Sequence, residues 1–161
     1  MVKGFLLCLV LVVLAILVGG LMILHRMPIN SIQPTSHFEE AVALRAREYL
    51  ISRDAEQTLP PEPAATADSI EDGHTIYGSL CAGCHGYDGR TPTRLGSSMF
   101  PRTPSLAGPA AQDLSDAEIY VSIRGGIRHS GMPTFGNTES SEQIWELVQY
   151  IRSLPSPGGK H

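Results

Sequence analysis

The chain is poor in several things at once. It has three cysteines, one tryptophan and 17% charged residues in 161 positions. Three cysteines cannot build a disulfide-stapled scaffold. A net charge of −4 argues against a nucleic-acid binder. Only one stretch is long and apolar enough to cross a bilayer, which excludes a multi-span protein. No stretch alternates as a strand, so a mainly α fold is expected. A mean hydropathy of zero would suit one ordinary soluble domain. That average hides an uneven chain, because 20 of the first 24 residues are apolar.

Gly4–Leu24 carries no charged side chain. As a helix it would be roughly 31 Å long, about one hydrocarbon core. It exceeds a signal-peptide core, and no small-residue cleavage site follows. An uncleaved anchor over 1–26 is therefore expected. Cys8 reads as a free thiol within it. Lys3 and Arg26 leave its orientation open.

Residues 27–67 read as a spacer. Ser36 and Glu39 have capping-box spacing, opening a helix over 37–56. Val42, Ala46, Tyr49 and Leu50 fall on one face of it. Arg45, Arg47 and Arg53 interleave with Glu48 and Glu56 as solvated i,i+4 pairs. That face either only lengthens a tether or docks on a neighbouring subunit. Leu59-Pro60-Pro61-Glu62-Pro63 then reads as a stiff, extended linker.

The remaining residues, 68–161, are about one-third apolar, a small core that needs a staple. Cys81-Ala82-Gly83-Cys84-His85 provides one, since C-x-x-C-H is the haem c attachment pattern. Two thiols one turn apart reach two vinyl groups, and the next residue faces the iron. A zinc half-site would need a second C-x-x-C or H-x-x-x-H, which the chain lacks. A thioredoxin-like pair would follow a strand, and none precedes Cys81.

An electron-carrying haem takes two axial ligands, and methionine sulfur favours reduced iron. Gly131-Met132-Pro133 sets Met132 in a turn-rich loop 47 residues past His85. Met132 is the candidate sixth ligand, with Met99 and His129 as alternatives. Ser115 with Glu118, and Ser140 with Gln143, have capping-box spacing. They open helices ending at Gly125-Gly126 and before Pro155. Gly73, Tyr77 and Cys81 share a helical face. His74 reads as an exposed first-turn residue. Arg90, Arg94 and Arg102 read as solvated or as neutralising a haem propionate. Arg124, Arg128 and His129 read as a solvated loop or as a basic rim for an acidic partner.

Residues 68–154 resemble a class I cytochrome c domain, close to the cytochrome c6-like and oxidase-associated subfamily. Ile123 to Pro133 carries that resemblance together with C-x-x-C-H. It implies a class I cytochrome c fold over 68–155 around one covalent haem c, with a short tail over 156–161. Cys81 and Cys84 become thioether anchors, and His85 and Met132 the axial pair. Pro104, or Pro101 in another register, offers a carbonyl to the proximal histidine. The first and last helices cross, with Gly73 near Tyr150.

The resemblance also implies an electron carrier rather than an enzyme, with no small-molecule substrate. Its partners would be other electron-transfer proteins or membrane-complex subunits of a respiratory or photosynthetic chain. It would be either a free shuttle or a fixed subunit. Haem attachment outside the cytoplasm would place the haem domain on the periplasmic side of the inner membrane. The alternative function is a peroxidase-like enzyme or gas sensor with a displaceable sixth ligand.

Overall fold

A computed structural model describes residues 2–26 and 36–154. The expected tail over 156–161, Pro155 and most of the segment joining the anchor to the spacer helix lie outside the described residues. The chain divides into two units, residues 1–36 and 37–161.

The first unit is helix α1, Val2–Arg26. Its segment Gly4–Arg26 is long and apolar enough to cross a membrane, and none of it is buried. It is a candidate anchor by length and composition. Cys8 is exposed on it.

The second unit is helical, with no strand among the described residues. It contains α2 (His37–Ala55), α3 (Ala67–Leu80), α4 (Ala82–His85), α5 (Arg94–Ser97), α6 (Pro109–Gln112), α7 (Asp116–Gly125) and α8 (Ser141–Ser153). Two of the expected capping boxes open α7 and α8. Ser115 accepts from the Glu118 N–H, and Ser140 from the Gln143 N–H. A third box escapes the sequence reading: Thr66 caps α3 with Ser69 rather than Glu or Gln answering it. Each cap satisfies helix N–H groups that would otherwise lack partners, a contribution of about 1 kcal/mol.

Helices α3 and α8 cross at Gly73, close to Tyr150, as the resemblance implies. A Cβ there would lie 2.1 Å from the Glu146 carbonyl oxygen and 3.0 Å from Tyr150 Cβ. Only a residue without a side chain allows this approach. Tyr77, Tyr120, Ile144, Leu147 and Val148 fill the core around that crossing.

Helix α2 packs against α7. It is neither a plain tether nor turned in the expected direction. Val42, Ala46, Tyr49 and Leu50 are exposed, while Ala43, Leu44, Arg47, Ile51 and Asp54 lie on the half-buried face. The latter set recurs at helical spacing but mixes apolar and charged residues, so an apolar-only search selects the wrong side. The expected i,i+4 pairs also differ: Arg45 pairs with Glu48, and Arg53 with its neighbour Asp54. The linker is held as well. Gln149, buried on α8, donates to the Pro63 carbonyl at 3.0 Å, and Leu59 packs on the core.

Candidate functional site

The C-x-x-C-H segment is built as a hinge between two helices. Cys81 ends α3 and starts the single turn α4. The N–H groups of Cys84 and His85 both reach the Cys81 carbonyl, at 3.1 and 3.0 Å. The buried Tyr77 hydroxyl donates to the Gly86 carbonyl at 2.6 Å and fixes the exit from the turn. Thr93 locks the other side, donating through its hydroxyl to the Gly83 carbonyl and through its N–H to that of Cys84. Gly96 lets α5 close over this turn, because a Cβ there would stand 2.3 Å from the Cys84 oxygen.

Cys81 and Cys84 are not disulfide-bonded. Burial, and then the neighbouring Cys84, push the free Cys81 thiol up to about 12. A redox-active C-x-x-C needs the opposite shift. No group of three or more His, Cys, Asp or Glu side chains able to hold a metal ion occurs among the described residues.

His85 Nδ1 lies 3.1 Å from the Pro104 carbonyl oxygen. A carbonyl only accepts, so Nδ1 carries the proton and Nε2 keeps its lone pair. Burial lowers the His85 pKa below its ordinary value, against the opposing pull of that hydrogen bond. The ring is therefore neutral at pH 7, the form that binds a metal. Pro104 is held in turn. Leu106 and Ala107 donate their N–H groups to the Gly89 carbonyl, and Gln112 donates to Leu106.

The loop after α7 is fastened from both ends. Gly126 turns at a φ of 65°, where a Cβ would meet the Pro133 backbone. The Thr134 hydroxyl and the Gly136 N–H both donate to the last-turn carbonyl of Arg124. Ser130 Oγ accepts from the Met132 N–H at 3.1 Å, and the Met132 carbonyl accepts from Ile127.

Cys81, Cys84, His85, Pro104 and Met132 line one cavity, walled mainly by aliphatic residues such as Ile119, Ile123 and Ile127. Met99 and Pro101 line it too. Met99 lies against the Met132 loop: a Cβ on Gly131 would stand 2.1 Å from its Sδ. His129 is exposed and is not among the lining residues. Arg90, Arg94, Arg124 and Arg128 are exposed. His74 is exposed, as expected, and stacks on Tyr150.

Two lining residues were missed by the sequence reading. Arg47 and Ile51 enter the cavity wall from α2. Their four-residue spacing, one turn apart on the face of Ala43 and Asp54, was the available signal.

The family model described as cytochrome C oxidase, cbb3-type, subunit III matches residues 68–151. The chain belongs to this family. It is a monohaem class I c-type cytochrome, and its cofactor is covalent haem c. The donor set fits that group: two unpaired thiols one turn apart, a neutral imidazole with a free Nε2, a thioether and an apolar wall.

One similar solved structure belongs to the reducing HAO-like protein complex of Kuenenia stuttgartiensis. It has 23% identity and a TM-score of 0.56, covering 62% of this chain and 50% of that one. Another is cytochrome CL of the marine methylotroph Methylophaga aminisulfidivorans, at 23% identity and a TM-score of 0.46, covering 56% of each chain. The chain thus spans about half the length of these structural relatives, and the first likeness supports the fold. No curated protein matches the chain.

Proposed function

We propose that the protein is a membrane-tethered monohaem cytochrome that passes single electrons to and from partners in a respiratory or photosynthetic chain. The observation that carries this is the meeting of Cys81, Cys84, His85 and Met132 in one apolar cavity. Cys81 and Cys84 would hold the haem as thioethers, and His85 and Met132 would hold its iron. The haem iron supplies one-electron cycling between ferric and ferrous states.

The chain's own residues set the conditions for it. Pro104 fixes the His85 ring through Nδ1 and raises its basicity as a ligand. The aliphatic wall excludes water and favours the less charged, reduced iron. With His85 and Met132 both on the iron, the haem would serve electron transfer rather than substrate binding. Arg124, Arg128 and His129, all exposed, form a basic rim for an acidic partner.

Helix α1 anchors the protein in the inner membrane, with the haem domain on the extracytoplasmic side. The family points to service as a subunit of, or donor to, a larger membrane complex.

The full-length protein, expressed with a haem c maturation system, tests this reading. Haem staining should survive denaturation and vanish in Cys81→Ala/Cys84→Ala. Met132→Ala should abolish the red charge-transfer band of methionine-ligated ferric haem. If that band persists in Met132→Ala, Met132 is not the ligand. Ready binding of carbon monoxide by the unaltered protein would favour the enzyme or sensor role. Mild detergent extraction separates the two modes of service: a stoichiometric complex marks a fixed subunit.

A further inference from the structure

Helix α2 lies outside the segment that matches the family, yet it contributes Arg47 and Ile51 to the cavity wall. We propose that Arg47 sets the reduction potential of the site, its guanidinium bringing a fixed positive charge that favours reduced iron. The proposal rests on the haem reading above and concerns how this chain tunes it.

Three observations converge on Arg47. The lining side chains include two guanidiniums, Arg47 and Arg102, and no Asp or Glu among the described residues. Arg45 and Arg53 are well exposed and already paired, with Glu48 and Asp54. Arg47 is half-buried and has no ion pair among the described residues. Arg102, by contrast, is exposed.

The physical consequence has a definite sign. A guanidinium stays protonated, so its charge is permanent. Reduction adds one electron and lowers the positive charge on the iron by one. A nearby fixed cation therefore destabilises the ferric state more than the ferrous. In an aliphatic wall this effect is less screened by solvent and salt than at the surface. The same cation complements the two propionate carboxylates that haem carries.

Arg47 is a positioning and tuning residue, not an iron ligand, and its carrier is held in place. Helix α2 packs on α7. Ile51 adds apolar wall one turn further on.

The test is potentiometric titration of the detergent-solubilised holoprotein, read at the visible haem bands. Arg47→Gln should lower the equilibrium constant for one-electron reduction about tenfold, which is ~59 mV. Arg47→Glu should lower it further, and Arg47→Lys should keep most of it. Arg45→Glu, on the exposed face of the same helix, should have a small effect that disappears in high salt. The Arg47 effect should persist there.

Wild-type potentials in both Arg47→Gln and Arg47→Glu would overturn the proposal. So would an equal shift in Leu44→Ala, since that would assign the effect to α2 packing rather than charge. Absence of covalent haem from the unaltered protein is a separate outcome, which defeats the haem reading itself.

Discussion

Gly73 and Glu146 touch backbone to backbone. A Cβ on Gly73 would lie 2.1 Å from the Glu146 carbonyl oxygen. The obstacle is a main-chain atom inside α8, not the movable end of a side chain. Gly73→Ala must therefore push α3 and α8 apart. The expected cost is about 2 kcal/mol, within the range for overpacking. For a unit of this size that is a fall in melting temperature of roughly 10 °C. Calorimetry of the holoprotein checks it. The haem content and spectrum should stay normal at low temperature, because the crossing does not line the cavity.

Tyr77→Phe isolates one hydrogen bond. The hydroxyl donates to the Gly86 carbonyl at 2.6 Å from a ring that is 1% exposed. Burial pushes the Tyr77 pKa far up, so this hydroxyl stays protonated and always donates. Removing it leaves the Gly86 carbonyl, at the exit of the Cys84-His85 turn, with the Gly89 N–H alone, at 3.2 Å. A loss of about 1 kcal/mol is expected, the net worth of one hydrogen bond whose acceptor keeps a second donor. Denaturant titration measures this as a lower midpoint with an unchanged slope.

The elements read most directly from sequence are those with local signals. Ser115 with Glu118 and Ser140 with Gln143 announce α7 and α8, because a cap is satisfied within four residues. Cys81, Cys84 and His85 are legible for the same reason, and so is the turn around Met132. Helices α5 and α6 were not legible. Each is four residues long, and α5 exists because Thr93 both caps it and bonds back to Gly83.

The seat of α2 was misread because its exposed face is the more apolar one. Phe38, Val42 and Tyr49 are 78%, 51% and 68% exposed, whereas the packed side includes Arg47 and Asp54. Its place is decided by α7 and the cavity, which no window of local sequence contains. The Pro104 register likewise depends on Gly89 and Gln112 reaching Leu106 and Ala107 across the fold.

Acid sensitivity should appear at the α7 cap. Glu118 accepts from the backbone N–H and the hydroxyl of Ser115, and these bonds lower its pKa below the ordinary 4.5. A depressed carboxylate stabilises the fold above its unfolded pKa. That contribution fades as pH falls through the lower folded value. Glu118→Gln keeps the shape of the cap but cannot ionise. Between pH 7 and pH 3 the variant should therefore lose less stability than the unaltered protein. Thermal melts across that range check it, and parallel loss in both proteins would remove Glu118 from the account.

Arg152 ties the end of α8 to the start of α7. Its guanidinium pairs with Asp116 and donates to the carbonyls of Gln112 (2.9 Å) and Leu114. Gln112, bonded to the same guanidinium, also donates to Ile151 at 3.0 Å. One side chain thus satisfies two carbonyls and one carboxylate at the base of the cavity's aliphatic wall. Arg152→Met keeps much of the stem volume but leaves all three acceptors without this donor. The expected loss is about 2–3 kcal/mol, from charge-assisted bonds and unpaired carbonyls. Asp116→Asn should cost less, because both backbone acceptors keep their donor. Equal losses in the two variants would show that the ion pair, and not the carbonyl clamp, holds α7 to α8. Denaturant midpoints of the two holoproteins decide between these outcomes.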